Sequence, residues 1–224
     1  MEQNKYLGVG LGFVAGYVDT VGFVSLFGLF TAHVTGNFVL IGSELAHPSH
    51  GVLIKFLAFP AFVAAVALTR LLVIRLQEKN KKTLNPVLGM QIAFLLAFMV
   101  LGWIAQPIQA ADTWAALSAG IAGAAAMGVQ NAASRLVFTD IAPTTVMTGN
   151  VTQLVIDLLD YMRADSAGAI GQRINKFLWP VLAFGSGAIG GAFACMYWQF
   201  WSLLLPIVIL VGFMLGTVSS PSTK

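Results

Sequence analysis

Thr35-Gly36-Asn37 followed by FVLIGSE, and Thr148-Gly149-Asn150 followed by VTQLVID, open two short helical runs, one in each half of the chain. The second copy starts 113 residues after the first, and each carries an acid nine positions beyond its threonine, Glu44 and Asp157. The likeness spreads outward. Upstream, Gly8, Gly12, Gly16 and Asp19 match Gly120, Ala124, Gly128 and Asn131 at an offset of 112, and downstream Lys55-Phe56-Leu57 with Pro60 matches Lys176-Phe177-Leu178 with Pro180. Two copies of one unit, each with a polar break, is a plan that recurs among membrane transporters.

Composition places the chain in the bilayer. Of its 224 residues 58% are hydrophobic and only 9% charged, and the mean hydropathy is +0.83, which excludes an ordinary soluble domain. The net charge of +3 lies in short loops rather than in a stripe, so nucleic acid is not an expected partner. Cys195 stands alone in an apolar run, which leaves no disulfide framework and no thiolate metal site. The start, MEQNKYLGVG, lacks the charged, apolar and cleavable regions of a secretory signal and is expected to belong to the first span.

Six apolar runs, 7–29, 52–76, 85–105, 114–137, 177–197 and 199–217, are long enough for about 30 Å of hydrocarbon. The Thr-Gly-Asn runs at 35–46 and 148–162 differ. The first gives only about 18 Å of helix before His47-Pro48, so it is expected to re-enter rather than cross. With both re-entrant and the amino terminus cytoplasmic, Lys5, Arg70, Arg75, Lys79, Lys81, Lys82, Arg135, Arg163, Arg173, Lys176 and Lys224 fall on the cytoplasmic side and only Lys55 outside. Full crossing by both would put the basic loops 77–83 and 163–176 on opposite faces. Trp103, Trp114, Tyr197, Trp198 and Trp201 then gather at outer ends, Tyr6 and Trp179 at inner ends. The expected fold is all-α: six transmembrane helices as a 3+3 inverted-topology repeat, each repeat with a re-entrant half-helix. Residues 1–105 form one repeat, 106–112 an outer loop and 113–224 the other.

FVSLFGLFTAHV at 23–34 and LVFTDIAPTTV at 136–146, with Pro143, are expected to lead back as extended paths toward the membrane centre. Non-helical backbone at that depth needs protein or water around it. There the two Thr-Gly-Asn starts present unpaired amides and roughly half a positive charge each, and inverted symmetry turns them to face each other. Thr35, Gly36, Asn37, Thr148, Gly149 and Asn150, with Gln130 and Asn131, are therefore candidate binding residues for an anionic or electronegative solute. Threonine can cap, glycine admits close approach, and asparagine supplies donors and an acceptor. Asp19, in the first span, is the candidate proton or ion carrier, because an intramembrane carboxylate costs about 3 kcal/mol or more unless paired or hydrated. Its counterpart Asn131 cannot titrate. His33, Glu44 and Asp157 are candidates for the mouth or gate, and each acid shares a helix face with the asparagine seven residues before it. Arg70, Arg75 or Arg135 are possible partners for the acids. His33 reads more readily as a hydrogen-bonded packing residue; Asp19 has a structural lock as its alternative, and the two acids a solvated helix end. His47 and His50 carry no metal-ligand spacing.

GYVDTVGFVSLFGLFTAHVTGN and GVQNAASRLVFTDIAPTTVMTGN resemble the YoaK family, small bacterial inner-membrane proteins of unknown function, over nearly the whole chain. The resemblance implies a polytopic bacterial membrane protein and brings no substrate or catalytic residue with it. Paired half-helices after extended segments also resemble the core of the nucleobase and sulfate transporter superfamily in architecture alone.

These readings converge on a secondary transporter or facilitator of a small anionic or polar solute, proton-coupled through Asp19. A passive channel and a non-transporting scaffold or assembly protein are the alternatives. No catalysis is expected, since Gly185-Ser186-Gly187 is not a nucleophile elbow and no histidine pair has zinc spacing. No cofactor or metal is expected. The expected partners are lipid, the solute and a second copy, because six spans leave little protein for a rigid frame.

Overall fold

The computed structural model describes residues 2–47, 51–163 and 168–218; His50 and Lys224 lie outside them. Among these the chain is all-helical: α1 (Glu2–Ser25), α2 (Val34–Ala46), α3 (Val52–Glu78), α4 (Leu84–Ile104), α5 (Trp114–Leu136), α6 (Met147–Arg163), α7 (Gly168–Trp198), a 3-10 turn (Gln199–Leu203) and α8 (Leu204–Val218). Four stretches are both long and apolar enough to cross a membrane: Lys5–Ser25, Val52–Glu78, Leu84–Ile104 and the continuous run Gly168–Gly216. That run bends back on itself at the 3-10 turn. α5 falls outside the set although it has 23 residues, because its alanines, glycines and polar residues face protein. It is among the most enclosed helices, and a helix shielded from lipid needs no lipid-like surface.

The packing runs between the halves. α1 lies on α7, and α5 lies on α3. Small residues set the closeness: a Cβ on Gly16 would stand 2.1 Å from the Phe184 carbonyl oxygen, and one on Gly187 2.2 Å from that of Phe13. Likewise a Cβ on Gly128 would meet the Phe62 carbonyl oxygen at 2.8 Å. The glycine ladders are thus backbone-to-backbone seams, as small-residue stripes in membranes commonly are.

Helix directions follow from which residues meet. Gly12 meets Pro180, Gly16 meets Phe184 and Tyr17 meets Gly191, so α1 and α7 run parallel. Tyr17 donates to the Ser202 carbonyl oxygen while Gly10 abuts Phe213, so α8 runs back against α1. Gly120 against Ile54 and Gly128 against Phe62 make α3 and α5 parallel, whereas Gln91 bonded to Gln130 and Phe98 beside Gly123 make α4 and α5 antiparallel. Phe200 fills the space over Gly102 and stacks edge-on against Phe98, 5.6 Å between centroids, tying the 3-10 turn to α4 and setting α8 antiparallel to α4. By this chain of contacts α5 runs opposite to α1, its sequence counterpart.

At 13 residues α2 is about 20 Å long, short of the hydrocarbon thickness. α1 stops where Phe27 and Gly28 take positive φ (51° and 74°) and the Gly28 amide closes back on the Phe23 carbonyl. No strand forms in 26–33 or 137–146; these expected extended paths are bends and turns. The belt residues gather as expected at one end, with Trp103 and Trp201 rings 6.0 Å apart, and at the other Lys5 sits 4.9 Å over the Trp179 ring.

The seam gives a paired test. Gly187→Ala is expected to destabilise the purified protein by about 1–3 kcal/mol through overpacking. Gly185→Ala on the same helix, with open space around it, should stay within about 0.5 kcal/mol, as read by denaturation in detergent.

Candidate functional site

Asp19 lies six residues before the end of α1, nearer the helix end than the middle position expected from sequence. There its carboxylate holds the bend that follows. Oδ1 accepts the Ala32 amide at 2.7 Å and the Thr31 hydroxyl at 3.3 Å, and Oδ2 lies 2.6 Å from His33 Nδ1. Asp19 is buried. The other side of the bend is fastened by Asn37, whose Oδ1 accepts the Phe30 amide at 2.9 Å while its Nδ2 donates to the Phe30 carbonyl at 2.8 Å. Three consecutive residues ahead of α2 are thus fixed by α1, and a fourth by α2 itself.

The second half repeats the arrangement without charge. Asn131 Nδ2 donates to Thr145 Oγ1 at 2.7 Å, and Asn150 Nδ2 donates to the Pro143 carbonyl at 2.6 Å. Asn37 to residue 30 and Asn150 to residue 143 are the same bond at the 113-residue offset. Pro143 has no N–H, so the second clasp has one bond to the backbone where the first has two.

Gln130 belongs to a buried lattice rather than to an open surface. Its Nε2 donates to the Leu11 carbonyl and to Thr144 Oγ1, and its Oε1 accepts from Gln91 Nε2, all between 2.7 and 2.9 Å. Ser134 completes the group by bonding the Gln130 carbonyl at 3.1 Å. With both amide hydrogens and the oxygen engaged, Gln130 positions residue 144 and has no free donor for a solute.

The helix starts differ in detail from expectation. α2 begins at Val34 and α6 at Met147, one residue before the threonines, and His33 at the start of α2 makes no side-chain capping bond. Thr35 and Thr148 therefore do not act as caps. Thr35, Thr148 and Gly149 are exposed, and only Asn37 and Asn150 of the two triplets are buried. The two short helices pack mainly elsewhere, α2 on α3 and α6 on α7. Gln130, beside Asn131, touches Leu11, whereas Asp19 lies eight residues further along α1. The two polar clusters are consequently staggered by roughly 12 Å along the helix axis. Neither the 360 Å³ cavity beside Lys82, Thr83 and Asp140 nor the 660 Å³ cavity beside Phe13, Tyr17 and Trp198 is lined by the triplets.

The two acids are paired, but not with the arginines expected. Glu44 bonds Lys55 at 2.6 Å, and Lys55, almost fully buried, also donates to the Phe27 carbonyl. Asp157, fully buried, is bridged by Arg173 and accepts from Gln153 Nε2 at 2.8 Å. Lys55 is therefore an internal countercharge rather than a free charge in a loop, and its counterpart in role is Arg173, not Lys176. Each ion pair ties the second half of a short helix to the opening turns of the next long one. The pairs are unequal: Glu44 Oε2 is buried without a partner, while Arg173 is half exposed. Among the described residues no cluster of histidine, cysteine and acid has the makings of a metal site.

The family model described as "Protein of unknown function (DUF1275)" matches residues 7–216. The chain belongs to that family. It is similar to the UPF0700 transmembrane protein YoaK of Bacillus subtilis (strain 168), with 26% identity over 211 residues that cover 90% of this chain and 88% of that protein. No solved structure matches it. Membership and the apolar helices together make this a transmembrane protein of a family without an assigned function.

Sequence reasoning found Asp19, Asn37, Asn131 and Asn150 but not what they hold. Thr31, Thr144, Thr145, Gln91 and Ser134 were missed. Thr31 and Thr144 stand 113 apart, as the triplets do, and that offset was the available signal.

Two measurements test this geometry. Asn37→Ala should cost more stability than Asn150→Ala, by about 1 kcal/mol or more, since it frees a buried amide as well as a carbonyl. Lys55→Met should destabilise by about 3–5 kcal/mol by stranding Glu44, and the double change Glu44→Gln with Lys55→Met should recover most of that loss in thermal denaturation.

Proposed function

We propose that this chain is a secondary transporter or facilitator of a small anionic or polar solute, coupled to protons through Asp19. The observation that carries the reading is the repeated clasp, Asn37 on Phe30 and Asn150 on Pro143, each holding a bend ahead of a short helix whose threonine is exposed. Bends of this kind at membrane depth line a cavity or are buried by protein, and paired half-helices of opposite direction are where carriers bind solutes. The proposed site comprises Thr35, Gly36, Asn37, Thr148, Gly149 and Asn150, with Asn131 beside it and Gln130 as a positioning residue. The stagger between the Asp19 and Gln130 clusters supports a site reached from one face and then the other.

The frame of this reading is six crossings in a 3+3 inverted repeat, residues 1–105 and 113–224 around the outer loop 106–112. The opposed directions of α1 and α5 support it, as does the placement of Glu44–Lys55 and Asp157–Arg173 toward opposite ends. The distribution of basic residues supports a bacterial inner membrane with both termini cytoplasmic. α2 and α6 leave Phe38, Val39, Ile156, Leu159 and Met162 uncovered, which supports a homodimer or a lipid jacket on those faces. No cofactor or catalytic step enters the proposal.

In proteoliposomes, uptake of a panel of small anions and nucleobases should fall at least tenfold in Asp19→Asn and in Gly149→Leu. A Cβ added at 149 meets only Val146, at 3.8 Å, so the substitution starts from a position with room for a side chain. Uptake unchanged in both variants would remove the site. Ohmic current without counterflow would reassign the protein as a pore.

A further inference from the structure

We infer that Asp19 and His33 form a single proton-binding dyad, in which His33 is the member that exchanges the proton with water. The inference gives the coupling group of the proposed transporter its chemistry and, as to coupling, rests on that reading.

Asp19 is buried to 4% exposure, and among the described residues no lysine or arginine pairs with it. Its Oδ1 is occupied by the Ala32 amide and the Thr31 hydroxyl, and its Oδ2 by His33 Nδ1 alone. An ionised carboxylate at this depth needs a countercharge, and the imidazole supplies the one at hand. With Nδ1–H donated to Oδ2, the neutral ring fixes its tautomer and leaves Nε2 free as the proton acceptor. A proton added at Nε2 makes an imidazolium–carboxylate pair of zero net charge, and its removal leaves a net charge of −1. The dyad therefore carries one proton per cycle.

Access is through the ring. The Asp19 side chain is 5% exposed and that of His33 37%, so of the two the histidine is the one open to its surroundings. Phe30 and Phe184 flank the imidazole edge-on, each 5.8 Å away between centroids, and fix its plane. Three titratable groups on the surrounding elements are engaged elsewhere. On α2 Glu44 is closed on Lys55 of α3; on α7 Cys195 bonds Ser25; on α1 Tyr17 donates to the Ser202 carbonyl. The second half has Asn131 and Val146 at the matching positions, so it has no equivalent to titrate. Because the same carboxylate anchors residues 31 and 32, proton gain or loss acts on the bend that starts α2.

The test uses the full chain in lipid nanodiscs, with His47 and His50 replaced by Gln and the remaining imidazole followed by nitrogen-15 NMR. The expected result is a ring protonated at Nδ1 in its neutral form, with a titration midpoint that drops by roughly one pH unit or more in Asp19→Asn. In the unaltered dyad the Asp19 carboxyl carbon-13 signal should shift with the same midpoint as the ring, which needs no variant at position 19. Independent midpoints, or the opposite tautomer, would overturn the dyad. Failure of the transport reading would look different: coupled NMR midpoints with no solute flux from the intact chain in proteoliposomes.

Discussion

Everything in this fold rests on returning a short piece of non-helical backbone into apolar surroundings without leaving its polar groups unpaired. The asparagine two residues into each Thr-Gly-Asn word does this by reaching back seven residues to a carbonyl, Phe30 in one half and Pro143 in the other. Lipid offers no replacement partner for such groups, so a helix can begin part-way across only where a side chain takes over the pairing. Asp19 and Asn131 fasten the same bends from the neighbouring helix. Once both bends are held, α2 and α6 are set as short helices, and the ion pairs in their second halves lock them to α3 and α7.

The two halves share this device and differ in charge. One has a carboxylate against a histidine; the other has an amide against a threonine, with valine where the histidine would be. The carboxylate and imidazole of the first half thus have no titratable counterparts at the matching positions of the second. The ion pairs carry a second inequality: Lys55 is sealed against a partly buried Glu44, whereas a half-exposed Arg173 meets a fully buried Asp157.

The two repeats are not separable bodies. α1 is seated on α7 and α5 on α3 through glycines that bring carbonyl oxygens within reach of where a Cβ would stand, so each half supplies the other's packing surface. This interlocking explains why α5 has lost the hydropathy of a lipid-facing span. A helix surrounded by other helices is selected for closeness, and alanine and glycine serve that better than leucine.

How much was legible can be judged from particular residues. The duplicated word, the acid beyond it, the small-residue ladders and the intramembrane Asp19 were all readable because each is a local pattern or an expensive residue type in an apolar run. The partners of these residues were not. Lys55 read as the one basic residue left outside and Arg173 as one of the cytoplasmic ones, since nothing in the spacing says that an acid in a short helix will meet the start of the next. Gln130 looked available, yet its hydrogens are taken by Leu11 and Thr144. The sequence by itself determined the membrane setting, the duplication and the residues that break the apolar pattern. Only the tertiary structure decided that α1 runs beside α7, that the Asp19 and Gln130 clusters are staggered along it, and that Asp19 is held by His33. Hydrogen bonds and close helix contacts depend on which surfaces face each other across more than a hundred residues, and that register belongs to packing, not to local sequence.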